Sequence, residues 1–204
     1  MTPQNDTYKT LEQPSEGLFK EKGSKFIAFA HPVETLEQVK ELLDGYRKTY
    51  YDARHVCYAY SLGAESPETR ANDDGEPSGT AGRPIFGQIQ SAGLTNVLVV
   101  VVRYFGGILL GTGGLVQAYK AAAADALSQA SVVERTIDVL IDIRFEYPFL
   151  DGVLRVVRQW EGRVLSQFWE SDCLMQVSVR KGSLDALRNA LEKVDTLRLD
   201  RENL

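Results

Sequence analysis

Apolar and polar residues alternate most regularly in the last third of the chain. From Ile137 to Phe145 every second residue is apolar and Leu140 alone breaks the alternation, which predicts a half-buried strand. Pro148 suits the first turn of a helix, because its fixed φ matches helical backbone and its missing N–H is not needed there. The apolar residues that follow at helical spacing give this helix one buried face.

Two further strands, a second helix and a short last strand complete this region. The Ser183 side chain is placed to accept a hydrogen bond from a backbone N–H in the first turn of the second helix. The resulting order, β-α-β-β-α-β, is the ferredoxin-like arrangement. The remaining predicted elements are strands at Val164–Phe168, Cys173–Val179 and Leu197–Leu199 and a helix over Leu184–Val194.

The first two thirds of the chain contain one segment that is apolar throughout. Residues Val97–Val102 include no polar side chain, so a strand over Val97–Tyr104 should be buried on both faces at the centre of a sheet. The Ala-rich segment Leu115–Ala130 predicts a long helix. The other predicted elements are strands at Phe26–Ala30 and Val56–Leu62 and helices at Leu36–Tyr46 and, despite Pro84, at Thr80–Ala92.

Glycine content marks the division between these regions. Residues 1–131 hold 14 of the 17 glycines, and alternating β-branched residues begin where the Ala-rich helix ends. We therefore predict an α+β protein of two domains, residues 1–133 and residues 134–204. Most glycines then belong to loops of the first domain.

Composition limits the classes of function. Because the net charge is −5 and the pI about 5.2, we do not expect general positive charge to coat nucleic acid, so any anion site must be local. The polar first residues lack the apolar core of a signal peptide, and no apolar run approaches the ~20 residues of a membrane span. We expect a cytoplasmic protein with no membrane role. Cys57 and Cys173 lack metal or redox spacing and should be buried free thiols.

Two loops rich in glycine and hydroxyl side chains carry the main functional signal. One runs from Arg70 to Arg83 and the other from Arg103 to Gly114, and each leads from a strand towards a helix. Unpaired backbone N–H groups and the positive end of a helix dipole meet at such junctions, where glycines let an anion approach closely. Both loops are candidate phosphate sites, although glycines and an Asp-Asp-Gly segment also occur in ordinary turns.

The basic residues that could supply local positive charge near the loops are Arg83, Arg103 and Lys120, joined by Arg54 and His55. Arg54 and His55 begin a strand, and Lys120 lies on the helix after the second loop. Neither loop has Walker A or G-x-G-x-x-G spacing. The candidate nucleic-acid or anion-binding residues are Arg54, His55, Arg70, Asp73, Asp74, Glu76, Ser78, Gly79, Thr80, Gly82, Arg83, Arg103, Tyr104, Gly106, Gly107, Gly111, Thr112, Gly113 and Lys120.

Acidic residues of the first loop leave an enzymatic alternative open. Asp73, Asp74 and Glu76 offer the oxygen ligands that Mg²⁺ prefers, which would suit phosphoryl or phosphodiester hydrolysis beside a loop-bound phosphate. All three come from one short turn, and the sequence shows no distant carboxylate pair and no recognisable base. We therefore favour a binding protein and expect no catalytic residue, metal or cofactor.

Aromatic residues of the second domain give a further candidate surface. Trp160, Phe168 and Trp169 could stack on nucleobases. The strand pattern instead favours Phe168 in the core and the two tryptophans beside a strand pair. No RNP-like aromatic pattern is present, so we expect a docking or packing module.

Three segments together resemble the signature of the IMPACT family, especially its bacterial YigZ-type members. They are Tyr51–His55, Asn72–Gly82 and Arg103–Gly111, and Lys22–Phe26 is similar to the family's N-terminal segment. The resemblance extends over about residues 20–130. The last third of the chain looks like the small ferredoxin-like domain that bacterial members append.

This resemblance implies a fold and a biological setting. It implies an N-terminal β-α-β domain similar to domain IV of elongation factor G and a C-terminal domain similar to its domain V. Eukaryotic relatives regulate translation by competing for an activator of a stress-sensing kinase and carry an additional N-terminal RWD domain for that competition. This chain begins almost directly at the IMPACT domain, so we do not expect that pathway. We expect a translation-linked regulatory protein that binds RNA, the ribosome or another phosphate-bearing partner, or a protein partner in translation. The oligomeric state is left open.

Overall fold

The protein forms two compact units that each combine helices and strands. The computed structural model describes residues 6–170, 172–194 and 198–199. One unit comprises residues 8–135, and the other comprises the described residues from Thr136 onward together with Asp6 and Thr7. The predicted α+β class is confirmed. Among the described residues, no helix is both long enough and apolar enough to cross a membrane. The likeness to elongation factor G domains stays a prediction.

A five-stranded antiparallel sheet forms the centre of the first unit. The elements in chain order are β1 (Thr7–Leu11), β2 (Ser15–Glu21), β3 (Ser24–Pro32), α1 (Leu36–Thr49), β4 (His55–Leu62), β5 (Glu68–Asn72), α2 (Gly82–Ser91), β6 (Val97–Tyr104), α3 (Gly111–Ser128) and β7 (Val132–Thr136). The sheet order is β2-β3-β6-β4-β5, and β1 pairs separately with β7.

Strand β6 is the middle strand and is buried on both faces, as predicted. Its residues Val97–Val102 are all fully buried. Val97, Val99 and Val101 face a cluster that includes residues of α2 and α3, while the residues between them face a cluster that includes residues of α1. Because helices cover both faces, the strand is apolar at every position rather than at alternate ones.

The starts of the helices differ in how they are capped. The Thr35 side chain accepts a hydrogen bond from the Gln38 N–H at 3.3 Å and so caps α1. Helix α2 begins at Gly82 with Pro84 in its first turn, where proline is tolerated. Helix α3 begins at Gly111, four residues before the predicted start, so several glycines of the second loop lie in its first turn.

The second unit has the predicted β-α-β-β-α-β order. Its elements are β8 (Asp138–Phe145), α4 (Leu150–Gln159), β9 (Arg163–Trp169), β10 (Cys173–Arg180), α5 (Leu184–Leu191) and β11 (Arg198–Leu199), with 3₁₀ turns at Tyr147–Phe149 and Lys181–Ser183 before the two helices. The antiparallel sheet has the order β11-β8-β10-β9. Leu197, in the predicted last strand, lies outside the described residues.

Two local predictions in this unit are wrong. Ser183 does not cap α5 with its side chain within the described part of the chain, because the backbone enters the helix through a 3₁₀ turn. Phe168 is 62% exposed rather than in the core. It lies on the edge strand β9 opposite Leu174, out of phase with the buried Cys173 and Met175 of β10. Trp169 is also exposed, while Trp160 packs partly against the core.

Candidate functional site

The predicted phosphate site at the start of α2 is filled by the protein itself. One Asp73 carboxylate oxygen accepts hydrogen bonds from the N–H groups of Ala81 and Gly82 at 3.0 and 2.8 Å, and the other accepts from Gly79 N–H at 2.8 Å. Burial alone would raise the pKa of Asp73, but these three N–H groups lower it below its ordinary value. Asp73 therefore occupies the place that we predicted for a phosphate.

Asp74 holds the first loop against the sheet. Its carboxylate accepts a hydrogen bond from Val56 N–H at 2.7 Å and lies 3.7 Å from the Arg47 guanidinium. Its carbonyl oxygen is 2.7 Å from His55 Nδ1. Because a carbonyl can only accept, His55 Nδ1 carries the proton of that bond. Both groups of Asp74 thus position the loop.

Glu76 is the centre of a buried polar cluster. Its Oε1 accepts hydrogen bonds from the Arg103 guanidinium at 2.5 Å and from the Tyr119 hydroxyl at 2.8 Å, and it lies 3.8 Å from His55 Nε2. The Cys57 thiol is 3.3 Å from the same hydroxyl. Burial raises the pKa of both Tyr119 and Cys57 well above their ordinary values, so both keep their protons.

Arg103 does not add free positive charge to the site, contrary to our prediction. Its side chain is 6% exposed and its charge is paired with Glu76. The guanidinium carbon lies 5.4 Å from the ring centre of Phe26 and 5.7 Å from that of Phe105. Its Nε–H has no hydrogen-bond partner among the described residues. Arg103 therefore has a mainly structural role, and its Nε–H remains a donor without an acceptor among the described residues.

The start of α3, in contrast to that of α2, is open. Its N-cap residue is Leu110, and no side chain in the described residues caps this end. The first turn contains no acidic residue. A Cβ added at Gly111 or Gly113 would meet no described atom within 4 Å, so the backbone here is accessible. This 18-residue helix therefore presents unpaired N–H groups and the positive end of its dipole to any anion that reaches them.

A cavity of about 500 Å³ lies beside this open helix start. Its polar lining residues include Arg54, His55, Glu76 and Arg103. Its large apolar lining residues are Phe105, Leu109, Leu110 and Leu115, and Gly111 and Thr112 line it at the start of α3. Since Glu76 and Arg103 neutralise each other, the exposed Arg54 is the charged group of the lining that no ion pair in the described residues neutralises.

Two loop glycines are required by close packing rather than by ligand approach. A Cβ on Gly82 would lie 2.5 Å from the Asn72 nitrogen, and one on Gly106 would lie 1.9 Å from the Gly23 carbonyl carbon. The Gly106 N–H also donates to the Ser24 hydroxyl at 3.1 Å. Four further loop glycines have positive φ values, as turns require, namely Gly75, Gly79, Gly107 and Gly111.

Several predicted site residues lie elsewhere. The Thr80 hydroxyl donates to the Pro77 carbonyl at 2.7 Å, and the Tyr104 hydroxyl donates to the Asp52 carboxylate at 2.8 Å, a bond that raises the pKa of Tyr104. These residues do not line the cavity. Neither do four exposed residues of the predicted set, which are Arg70, Ser78, Arg83 and Lys120.

The acidic residues of the first loop do not form the set of magnesium ligands that the enzymatic alternative requires. The three acids of the first loop act separately, since Asp73 caps α2, Asp74 binds the Val56 N–H and Glu76 pairs with Arg103. Within the described residues, no group of three or more His, Cys, Asp and Glu side chains is placed to hold a metal ion. The carboxylates serve the fold instead of converging on one point.

Another cavity, of about 520 Å³, lies between α1 and the end of β3. His31 and Tyr46 line it and are joined by a 2.6 Å hydrogen bond. Burial lowers the pKa of His31, and no Lys or Arg is among the described lining residues. This cavity has no feature that would attract an anion.

Sequence reasoning missed the apolar half of the site and its buried centre. Phe105, Leu109 and Leu110 lie inside the second loop together with Ile108, and four large apolar residues are unusual in an exposed turn. Tyr119 is the one aromatic residue of the Ala-rich helix. Those two features were the available signals for an apolar wall and for a buried polar partner.

Sequence comparisons with known proteins point to one family. The family model of the Impact N-terminal domain matches residues 22–127 of this chain. The IMPACT family member YigZ of Escherichia coli (strain K12) is 36% identical over 160 residues, which are 78% of each chain. Protein IMPACT of Rattus norvegicus is 38% identical over 93 residues, covering 43% of this chain and 29% of that protein. A crystal structure described as that of a hypothetical protein has a TM-score of 0.79 and 31% identity, with 98% of this chain and 99% of that chain covered.

Proposed function

Because this chain belongs to the IMPACT family, we propose that it is a translation-linked regulatory protein whose first unit binds RNA, the ribosome or another phosphate-bearing partner. The binding site of this proposal is the open start of α3 together with the cavity beside it. The link to translation follows from what the family resemblance implies.

One observation carries the choice of site. Both loops lead into a helix, but the start of α2 already holds the Asp73 carboxylate, whereas the start of α3 has neither a side-chain cap among the described residues nor an acidic residue in its first turn. Asp73 also demonstrates the chemistry, because it is an anion held by loop and helix N–H groups in this same fold. A phosphate at α3 would be bound in the same way.

The charge balance of the first unit favours a binding site that makes few charged contacts with its partner. Residues 1–131 carry 12 basic and 15 acidic residues, so the first unit is not a general polyanion binder. Arg54 lines the cavity next to His55, and the Nε2 atom of His55 lies 3.8 Å from Glu76 Oε1. Binding should therefore depend on Arg54 and a few N–H groups, and it should weaken as salt rises.

Arg54→Ala is expected to weaken binding to ribosomes and to short single-stranded RNA by about tenfold, because it removes one charged phosphate contact. The slope of log affinity against log salt should become shallower by about 1. Affinity measured at two or more salt concentrations for the purified proteins checks both values.

Arg83→Ala is the matched control, since it removes an exposed arginine from the loop whose anion site is already filled. We expect its affinity and salt slope to equal those of the wild type. Equal losses in both variants would move the site away from α3, and no binding of wild-type protein to either ribosomes or RNA would contradict the RNA-binding part of the proposal.

A further inference from the structure

The lining of the cavity beside α3 combines two chemically different sets of groups. The open helix start and Arg54 are suited to an anion. Phe105 and Leu109 are 48% and 84% exposed although both are large and apolar. A ligand that consisted only of phosphate would leave this apolar surface in water, where it is unfavourable.

The size of the cavity restricts the ligand as well. About 500 Å³ lies within the range of cavities that hold small organic ligands, so there is room for a group larger than one phosphate. A planar nucleobase could lie against Phe105 and Leu109, as bases do on aromatic side chains in other proteins. One cavity would then hold both the phosphate and the base.

The number of donors points to a terminal phosphate. The first-turn N–H groups of a helix converge on one point, and Arg54 adds the unneutralised charge of the lining. A phosphate monoester presents three terminal oxygens and up to two charges, whereas an internal phosphodiester presents two oxygens and one charge. The first unit also lacks the excess of basic residues that a track of successive phosphates would need.

A buried group in the lining also lacks a partner. The Arg103 side chain is 6% exposed and lines the cavity, and its Nε–H has no hydrogen-bond acceptor among the described residues. Buried N–H groups of charged side chains are ordinarily paired. The Nε atom itself is fully buried, so a ligand oxygen would satisfy this donor only if the Arg103 side chain shifts towards the cavity.

We propose that the cavity holds one nucleotide with a terminal phosphate monoester, the phosphate on the first-turn N–H groups of α3 and Arg54, and the base against Phe105 and Leu109. This inference rests on the proposed function and narrows its ligand. Such a nucleotide occurs in two forms, as the phosphorylated end of a single-stranded RNA or as a free nucleoside monophosphate, and the test separates them.

A single substitution adds a negative charge to the end of α3 that the proposed phosphate would occupy. Gly113→Asp places a carboxylate in the first turn of α3, where a Cβ meets no described atom within 4 Å, so the fold can accommodate it. A negative charge there is favourable for the helix, and the melting temperature should not fall. Gly113→Asn has the same shape without the charge and is the matched control.

The test uses the full chain and RNAs of one sequence with a 5′-phosphate, a 3′-phosphate or no terminal phosphate. We expect one phosphorylated form to bind at least about tenfold more tightly than the unphosphorylated form. The matching nucleoside monophosphate should compete for the site far better than inorganic phosphate or the nucleoside. Gly113→Asp should remove the preference, and Gly113→Asn should weaken it less, because it adds the same bulk without the negative charge.

Different failures can be told apart. If all three RNAs bind equally and Arg54→Ala weakens all of them, RNA binding stands and the terminal nucleotide is overturned. If no RNA binds, the RNA-binding proposal fails, and binding of the nucleoside monophosphate is then measured alone. If the wild type binds the nucleoside monophosphate and Gly113→Asp abolishes that binding, a free nucleotide is supported as the ligand. If the wild type does not bind it, the inference is overturned.

Discussion

Arg103→Ala is expected to lower the free energy of unfolding by about 3–5 kcal/mol, because it leaves the buried Glu76 carboxylate without its positive partner. The two side chains are only 6% and 3% exposed, so water cannot replace the lost guanidinium without rearrangement. The packing of the guanidinium near Phe26 and Phe105 is lost as well. Chemical denaturation of the wild type and the variant measures the difference.

Two further variants separate this structural role from ligand binding. Arg54→Ala removes an exposed arginine of the same cavity and should change the unfolding free energy by less than about 0.5 kcal/mol. Glu76→Gln with Arg103→Met removes both charges while keeping an acceptor for Tyr119, and about half or more of the lost stability should return. Wild-type stability in Arg103→Ala would show that the pair is not needed by the fold.

Asp73→Ala is expected to cost on the order of 3 kcal/mol, because three backbone N–H groups lose a charged acceptor at once. The loop that carries Asp74 and Glu76 should loosen, and hydrogen exchange at Gly79, Ala81 and Gly82 should become faster. Ser78→Ala is a suitable control in the same loop, since Ser78 is exposed. Unchanged stability in Asp73→Ala would mean that water caps α2 equally well.

Asp73 also gives the stability a defined pH dependence. Its pKa in the folded protein is lower than the ordinary value of 3.8, so the folded state favours the ionised form. Its contribution is therefore complete above pH 3.8 and is lost as the pH falls through the lower, folded value. Comparing the unfolding free energy of Asp73→Asn with that of the wild type between neutral pH and pH 2 isolates the contribution of Asp73. The variant should lose less stability on acidification. Parallel curves for the two proteins would contradict the assignment.

Most of the fold could be predicted from periodicity because the core elements have strong patterns. The uninterrupted apolar segment of β6 and the alternation in β8 gave the position and burial of both strands. The short strands β1, β2, β5 and β7 went unpredicted. Strand β5, for example, is an edge strand of Glu-Thr-Arg-Ala-Asn with four exposed residues, so its pairing with β4 depends on tertiary context and not on its own sequence.

The site could be predicted only in outline. The sequence pointed to two loops at helix starts, and both loops do lead into helices. It could not tell that Asp73 caps one helix while the other stays open, because the choice depends on how the loop folds back on itself. It also could not tell Arg54, which is exposed, from Arg103, which pairs with Glu76 27 residues away in sequence.

The most direct test of the proposed site follows both helix starts in one experiment. Backbone amide signals of the first turns of α2 and α3 are recorded by NMR while phosphorylated single-stranded RNA is added. We expect the amides of Thr112, Gly113 and Gly114 to shift on binding, while those of Ala81 and Gly82 stay unchanged because Asp73 already occupies their donors. Shifts at α2 without shifts at α3, or no shifts at either helix despite binding, would contradict the assignment of the phosphate site to α3.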